Sequence, residues 1–352
     1  DIRLFVKTLL KIANNHHRNP NFFNKVEQIL VFLKNNIHEF SNSEIFNIFH
    51  SNKRILLFLI KEEMLTIDEH IFNKIMTTKK YVDAKFPQYF LPEIKQFLNE
   101  SWISEFEYKF KGYGLKLIEE LKIEIPETFE ENRIKGENES YICQLIRNDS
   151  IIEFIKYVNQ NNYSLKSRIK PSIYETNLFL IKQQIFVHKN DDKFIEESEN
   201  LPTLIEYAAF YGSIQIFQYL RLNGVYIGTN IEFYAIHSNN PEFIHILEAN
   251  HVQFNEYCFY ESIKCHHNDI ANYIKENYLN EGCENSYDFI YSVFENYNFV
   301  FIENNCFNQD CFYLLSRYDY YQFVKFLMND ERIDINRKYI LKCINKKWLR
   351  CI

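Results

Sequence analysis

Glycine and proline are scarce in this chain, with seven of each in 352 residues. Folds built on β-strands use these residues in their tight turns, so their scarcity disfavours a sheet-rich fold. Long apolar runs are also missing. The longest strongly apolar stretch, residues 55–60, is far short of the roughly 18 to 20 residues that a membrane-spanning helix requires. The sequence therefore predicts an all-α chain with no membrane span.

An excess of positive charge is likewise absent. The chain has 40 Lys and Arg against 47 Asp and Glu, which gives a net charge of −7. Proteins that bind the phosphate backbone need a basic surface, so nucleic acid is not expected as a partner. The eight cysteines are irregularly spaced and fall inside apolar helical patterns, which predicts free thiols in a reducing intracellular compartment, the cytoplasm. Because the chain begins at Asp1 without Met, an earlier targeting segment and a fragment origin both stay open.

Apolar and aromatic residues are plentiful, at 46% and 17% of the chain, and these amounts are enough to bury a core. They recur with a period after residue 201. The segment TLIEYAAFYGSIQIFQYLRLNGV, residues 203–225, has paired alanines, then Gly212, then an apolar stripe. This order predicts two short helices joined by a turn at Gly212. Segments FYAIHSNNPEFIHILEANHV and ESIKCHHNDIANYIKEN repeat it at successive offsets of 27 residues.

The repeat predicts about five units in residues 201–352. The fourth unit, in YDFIYSVFENYNFVFIE, has a register uncertain by about one residue, and the fifth contains FVKFL followed by Asp334, Ile335 and Asn336. So short a unit cannot bury its apolar face alone, which predicts a solenoid in which each unit stacks on its neighbours.

LIEYAAFYGSIQIFQYLRLNGV and the closing DIN resemble an ankyrin repeat. The resemblance implies an ankyrin-like solenoid of stacked helix-turn-helix units. The units are about six residues shorter than usual and lack the Thr-Pro-Leu-His start, so the projecting hairpin loops are expected to be short or absent.

Residues 1–190 are predicted to form an N-terminal helical domain, and the polar segment 191–200 a linker or loop. Predicted helices span residues 3–14, 21–35, 43–50, 54–63, 68–76, 92–99 and 150–160, with Ser43, Asp68 and Ser150 as N-caps. The strings FSNSEIFNIFHSNKRILLFLIKEE, YFLPEIKQFL, FEENRIKGENESYICQLIRNDSIIEFIKYVNQNN and SIYETNLFLIK resemble a trichomonad protist family in which a helical domain of unknown function precedes divergent ankyrin repeats. That resemblance implies protein binding, with no activity or cofactor.

No motif in the chain predicts catalysis, so an enzyme is not expected. The single Gly-x-Gly, at Gly112 and Gly114, lacks a third glycine and is interpreted as a helix break. Ligand-type residues crowd together at His251, Cys258, Cys265, His266 and His267, but their spacing matches no known zinc module. In the repeat register Cys265 is expected on the exposed side of its helix and His266 at the turn, so no metal and no cofactor are predicted.

Two functions are kept open: a protein-binding scaffold or adaptor, and a structural component of a larger assembly such as a cytoskeletal or ciliary complex. For the adaptor, the variable positions of each first helix should line the concave face of the solenoid. Aromatic and Arg side chains dominate interface hot spots, which favours a binding role for this stripe. Its members are Tyr207, Phe210, Tyr211, Tyr234, His237, Glu261, Lys264, Arg317 and Tyr318.

Overall fold

The computed structural model describes residues 2–15, 20–77, 85–122, 124–170, 172–181, 201–280, 286–302, 314–316, 318, 320 and 324–325. Within these residues the fold is all-helical, and the one β-type contact is an isolated bridge between Arg168 and Thr203. The all-α prediction is confirmed. None of the described helices is long and apolar enough to cross a membrane.

The chain forms two compact units, Asp1–Ala208 with Gln215–Tyr226, and Ala209–Ile214 with Ile227–Ile352. The helices up to residue 181 are α1 (Ile2–Asn15), α2 (Pro20–Phe32), α3 (Lys34–Ile37), α4 (Asn42–Phe49), α5 (Lys53–Lys61), α6 (Glu69–Thr77), α7 (Phe86–Tyr89), α8 (Leu91–Ile94), α9 (Glu100–Leu121), α10 (Phe129–Lys135), α11 (Tyr141–Arg147), α12 (Ile151–Gln160) and α13 (Leu178–Ile181). The later helices are α14 (Leu204–Tyr211), α15 (Ile214–Leu222), α16 (Ile231–Ser238), α17 (Pro241–Ala249), α18 (Glu256–Lys264), α19 (Asn268–Tyr278) and α20 (Tyr287–Asn296). Short 3-10 helices span Lys95–Phe97 and Phe299–Phe301.

The helix pairs α14–α15, α16–α17 and α18–α19 follow the predicted repeat. Gly212, Asn239 and His266 end the first helix of each pair, all with positive φ (69°, 50° and 56°), at the predicted spacing of 27 residues. Tyr297 has the same conformation after α20, but it lies 31 residues beyond His266. The fourth unit is therefore four residues out of the common period. The fifth lies mostly outside the described residues.

A second recurrent turn ends the second helix of four pairs, and sequence reasoning missed it. Residues Glu63, Asn162, Gly224 and His251 have positive φ after α5, α12, α15 and α17. In each case the next N–H donates to the carbonyl five residues earlier, as in Met64 to Leu59 and Val252 to Leu247. This is the Schellman ending of a helix. The pairs α4–α5 and α11–α12 of the first unit thus close in the same way as the predicted repeats.

Polar caps define the helix starts of the first unit. The Ser41 hydroxyl accepts from the Glu44 N–H while the Glu44 carboxylate accepts from the Ser41 N–H, so Ser41 caps α4 and the predicted cap Ser43 is wrong. Asp68 is confirmed as a cap because its carboxylate accepts from the Ile71 N–H at 2.8 Å. Ser150 stands at the N-cap of α12 without a side-chain cap bond.

Helix α9 runs through Gly112 and Gly114 without interruption, so the predicted helix break is wrong. Glycine destabilises a helix by about 1 kcal/mol relative to alanine. The Glu, Lys and Leu residues around the two glycines are good helix formers and compensate for this cost. The predicted linker, residues 191–200, lies outside the described residues, and the domain division there stays a prediction.

Candidate binding face of the second unit

Five tyrosines of the second unit lie on α18, α20 and the turn after residues 314–316. We call Tyr257, Tyr260, Tyr287, Tyr291 and Tyr318 the tyrosine face. Tyr257 is 59% exposed and Tyr287 is 40% exposed, while the other three side chains are half-buried. Ring centroids lie 6.3 Å apart for Tyr257 and Tyr260, 6.2 Å for Tyr287 and Tyr291 and 6.4 Å for Tyr291 and Tyr318. The rings thus form two groups, one on α18 and one on α20 and the following turn, which a contact between the Tyr260 and Ser286 hydroxyls connects.

The N-terminal caps of α18 and α20 position this patch. The Asn255 side chain accepts from the N–H groups of Tyr257 and Cys258, and the Ser286 hydroxyl accepts from the Phe289 N–H. The Ser286 hydroxyl also lies 3.0 Å from the Tyr260 hydroxyl, which ties the start of α20 to the side of α18. The Tyr260 side chain is therefore in contact with the residue that caps α20.

Four of the nine members of the stripe that the sequence predicted are buried, and the expected exposure is wrong for these four. Tyr207 is 1% exposed, Phe210 0%, Tyr234 5% and His237 3%. Tyr207 accepts a hydrogen bond from Arg147 at 3.1 Å, and the Phe210 ring stacks on His237 at a centroid distance of 5.3 Å. The physical reason is that this side of α14 packs against other helices: Tyr207 contacts the end of α11, and Phe210 contacts α16.

The other predicted members have different environments. Tyr211 is half-buried, and Lys264 keeps 39% of its side chain exposed. Tyr318 is half-buried and belongs to the tyrosine face, whereas Arg317 lies outside the described residues. The repeat register correctly predicted the helices of each pair, but it did not predict which side of each helix is exposed. A signal for the exposed side was present, because Tyr257 and Tyr287 each stand within two residues of a capping Asn or Ser.

A chain of polar contacts connects α16 and α18. His237 Nε2 lies 2.9 Å from Glu261 Oε1, and Lys264 Nζ donates to the same oxygen at 2.6 Å. Cys265 Sγ lies 3.6 Å from His237 Nδ1 and 3.8 Å from Nε2. Cys265 is completely buried, which contradicts its expected place on the exposed side of the helix.

Charge in this network is concentrated on Glu261 and Lys264. Burial disfavours the carboxylate of Glu261, but Lys264 and His237 outweigh it and hold the pKa of Glu261 well below its usual range. Burial also acts against the charge of Lys264, yet the facing Glu261 raises the pKa of Lys264. The pair is therefore ionised, with His237 as a hydrogen-bonded neighbour.

The crowded His and Cys residues between His251 and His267, which are potential metal ligands by type, do not come together at one site. His266 Nε2 lies 2.8 Å from the Asn296 carbonyl, and His267 Nδ1 lies 2.8 Å from the Ile236 carbonyl. Both imidazoles thus join consecutive helix pairs. His266 does take the turn position, as expected. Among the described residues, the His, Cys, Asp and Glu donors that come close enough to share an ion are His237, Glu261 and Cys265.

The described cysteines, Cys143, Cys258 and Cys265, are free and buried. Burial raises the pKa of Cys143 to about 11 and that of Cys258 to about 12, and it also raises the pKa of Cys265. A thiol must ionise to act as a nucleophile, so all three buried thiols are poor nucleophiles. The remaining five cysteines lie outside the described residues.

No known protein family matches the chain, and searches of curated proteins and of solved structures also found no match.

Proposed function

We propose that the chain is a non-enzymatic protein-binding module of ankyrin-like solenoid architecture, and that the tyrosine face is its binding surface. The observation that carries the proposal is the two groups of neighbouring tyrosine rings, on α18 and on α20 with the following turn, that the Tyr260–Ser286 hydroxyl contact connects. Tyrosine provides large contact area with few rotatable bonds and is enriched at interface hot spots. A net charge of −7 favours a protein partner over nucleic acid.

The order of the helices supports the solenoid. In the second unit α16 packs on α17 and α18, and α18 packs on α19 and α20, so each first helix contacts its own partner and the next first helix. The high pKa values of the buried thiols support a role without covalent catalysis. A structural component of a larger assembly is the second candidate function, because the same patch would serve a permanent contact.

The test compares tyrosines of the patch with tyrosines elsewhere. Affinity capture from native cells with the wild-type chain should identify a partner by mass spectrometry, and the variant Tyr257→Ala/Tyr287→Ala should bind it at least about tenfold more weakly, since each hot-spot truncation removes roughly 1 to 2 kcal/mol. Tyr226→Ala and Tyr108→Ala are matched controls, because both side chains are highly exposed outside the patch.

The Tm of the double variant should match that of the wild type, because both rings are largely exposed. Full-strength binding by a folded double variant would rule out the tyrosine face. Salt extraction separates the two candidate functions: an adaptor is released as a free monomer, whereas an assembly component co-sediments with its complex.

A further inference from the structure

The polar cluster between α16 and α18 has no part in the proposed function. It contains an imidazole nitrogen, a carboxylate oxygen and a thiol sulfur, from His237, Glu261 and Cys265. These donor atoms all lie within 4.8 Å of one another. His237 is 3% exposed and Cys265 is 0% exposed, so the cluster is shielded from solvent. We propose that these three side chains form a binding site for one divalent cation of the zinc type.

The spacing of the donors fits a tetrahedral ion. Zinc binds nitrogen and oxygen at about 2.0 to 2.2 Å and sulfur at about 2.3 Å, which places tetrahedral donors about 3.3 to 3.8 Å apart. The sulfur of Cys265 lies almost equally far from both imidazole nitrogens, 3.6 Å from His237 Nδ1 and 3.8 Å from Nε2, so it stands beside the ring and off the lone-pair axis of either nitrogen. Metal binding therefore requires rotation of the Cys265 side chain toward the nitrogen that binds the ion. It also requires the contact between His237 Nε2 and Glu261 Oε1, at 2.9 Å, to open by a few tenths of an ångström.

The types of donor atom indicate which metal ions the site would bind. One thiolate and one imidazole suit a borderline-soft ion such as Zn²⁺ or Co²⁺, whereas Mg²⁺ and Ca²⁺ require sets of oxygen ligands. The stacked ring of Phe210, at a centroid distance of 5.3 Å, fixes the plane of the His237 imidazole. Three protein ligands leave one coordination position, which water can occupy.

Metal binding depends on the pH and on the charge of the neighbouring Lys264. A zinc-type ion binds the sulfur of Cys265 as a thiolate. Binding therefore releases the Cys265 proton to solvent, and affinity should rise with pH. Lys264 donates to the oxygen of Glu261 that faces His237 and competes with the metal for it. Removal of this ammonium group should strengthen binding.

The site would join two consecutive first helices, α16 and α18, across one helix-pair boundary. In a stack of short units, the contacts between neighbours supply the stability that each unit lacks alone. A metal bound to the folded state stabilises that state by mass action. The ion would thus strengthen the second unit next to the tyrosine face. This inference does not depend on the proposed function, since the tyrosine rings are not among the ligands.

The experiment is a titration of the purified, reduced full-length chain with Co²⁺, followed by competition with Zn²⁺. The wild type should develop the visible bands of tetrahedral cobalt and the near-ultraviolet thiolate-to-cobalt absorption, and Zn²⁺ should displace both. Cys265→Ser should lose the thiolate absorption. Cys258→Ser should retain it, because Cys258 is also a buried free thiol of α18 but is not part of the donor cluster.

Lys264→Met should bind Co²⁺ at least as tightly as the wild type. Glu261→Gln should bind it at least about tenfold more weakly. X-ray absorption of the wild-type zinc complex gives a count of ligands that does not depend on the folding of any variant, and one sulfur with nitrogen or oxygen ligands is expected. A wild type with no thiolate-to-cobalt absorption, an unchanged band in Cys265→Ser, or two or more sulfur ligands would each overturn the proposal.

Discussion

Glu175 lies in the first unit with its side chain almost completely buried, and burial raises its pKa to about 7. The Asn177 N–H donates to Glu175 Oε1 at 2.9 Å, and nearby Lys53 and Arg147 favour the carboxylate without cancelling the effect of burial. Because the folded-state pKa lies above the usual carboxyl value, this group contributes stability that is fully present below about pH 4.5 and is lost as the pH rises through about 7.

The Glu175→Gln variant tests this pH dependence. A shift of this size corresponds to roughly 3 kcal/mol between the two ends of the range. The variant cannot ionise, so its free energy of unfolding should fall less than that of the wild type between pH 5 and pH 8 in urea titrations. Glu153→Gln, which removes an exposed carboxylate, is the control and should follow the wild type. Parallel wild-type and Glu175→Gln curves would show that Glu175 is ionised in the folded state throughout.

At the scale of the element, the recurrent unit is a short helix that ends in a left-handed residue. Gly212, Asn239 and His266 occupy this position in three consecutive pairs. Glycine adopts positive φ without steric penalty, and Asn tolerates it better than most residues. Two of the three residues thus suit the conformation, whereas His266 is held there by its hydrogen bond to Asn296.

The two favourable residues predict opposite outcomes for matched substitutions. Gly212→Ala should destabilise the fold by about 1 kcal/mol, because Gly212 has a φ of 69° and alanine resists this left-handed conformation. Asn239→Gly, at the equivalent exposed position, should be neutral or slightly stabilising. Chemical denaturation of both variants is the measurement. A destabilised Asn239→Gly would mean that the Asn239 side chain, and not the backbone conformation, supports the turn.

At the scale of the whole molecule, the proposed solenoid predicts that stability is distributed along the chain. Removal of residues 281–352 should leave a folded remainder, because each helix pair depends mainly on its neighbours. The truncated chain should keep its helical circular dichroism and unfold at a lower urea concentration than the full chain. Complete loss of cooperative unfolding in residues 1–280 would contradict the one-dimensional stacking and would favour a single shared core.

The sequence by itself was sufficient for the all-helical class, the 27-residue register of α14 to α19 and the turn at Gly212, Asn239 and His266. These features are local: they depend on apolar periodicity and on which residues accept a positive φ. The sequence did not reveal α9, because its two glycines suggested a helix break. It also did not reveal the Schellman endings after α5 and α17, because Glu63 and His251 carry no recognisable turn signal.

Only the tertiary structure decided which side of each first helix faces solvent. Exposure depends on how closely neighbouring helices pack, and this distance is set by loops and by side chains from other pairs. The aromatic type of Phe210 and Tyr234 is equally compatible with a hot spot and with a core, and packing placed both in the core. The same packing brought His237 next to Glu261 and Cys265, residues 24 and 28 positions later in the chain. Such long-range proximity leaves no pattern in a single sequence.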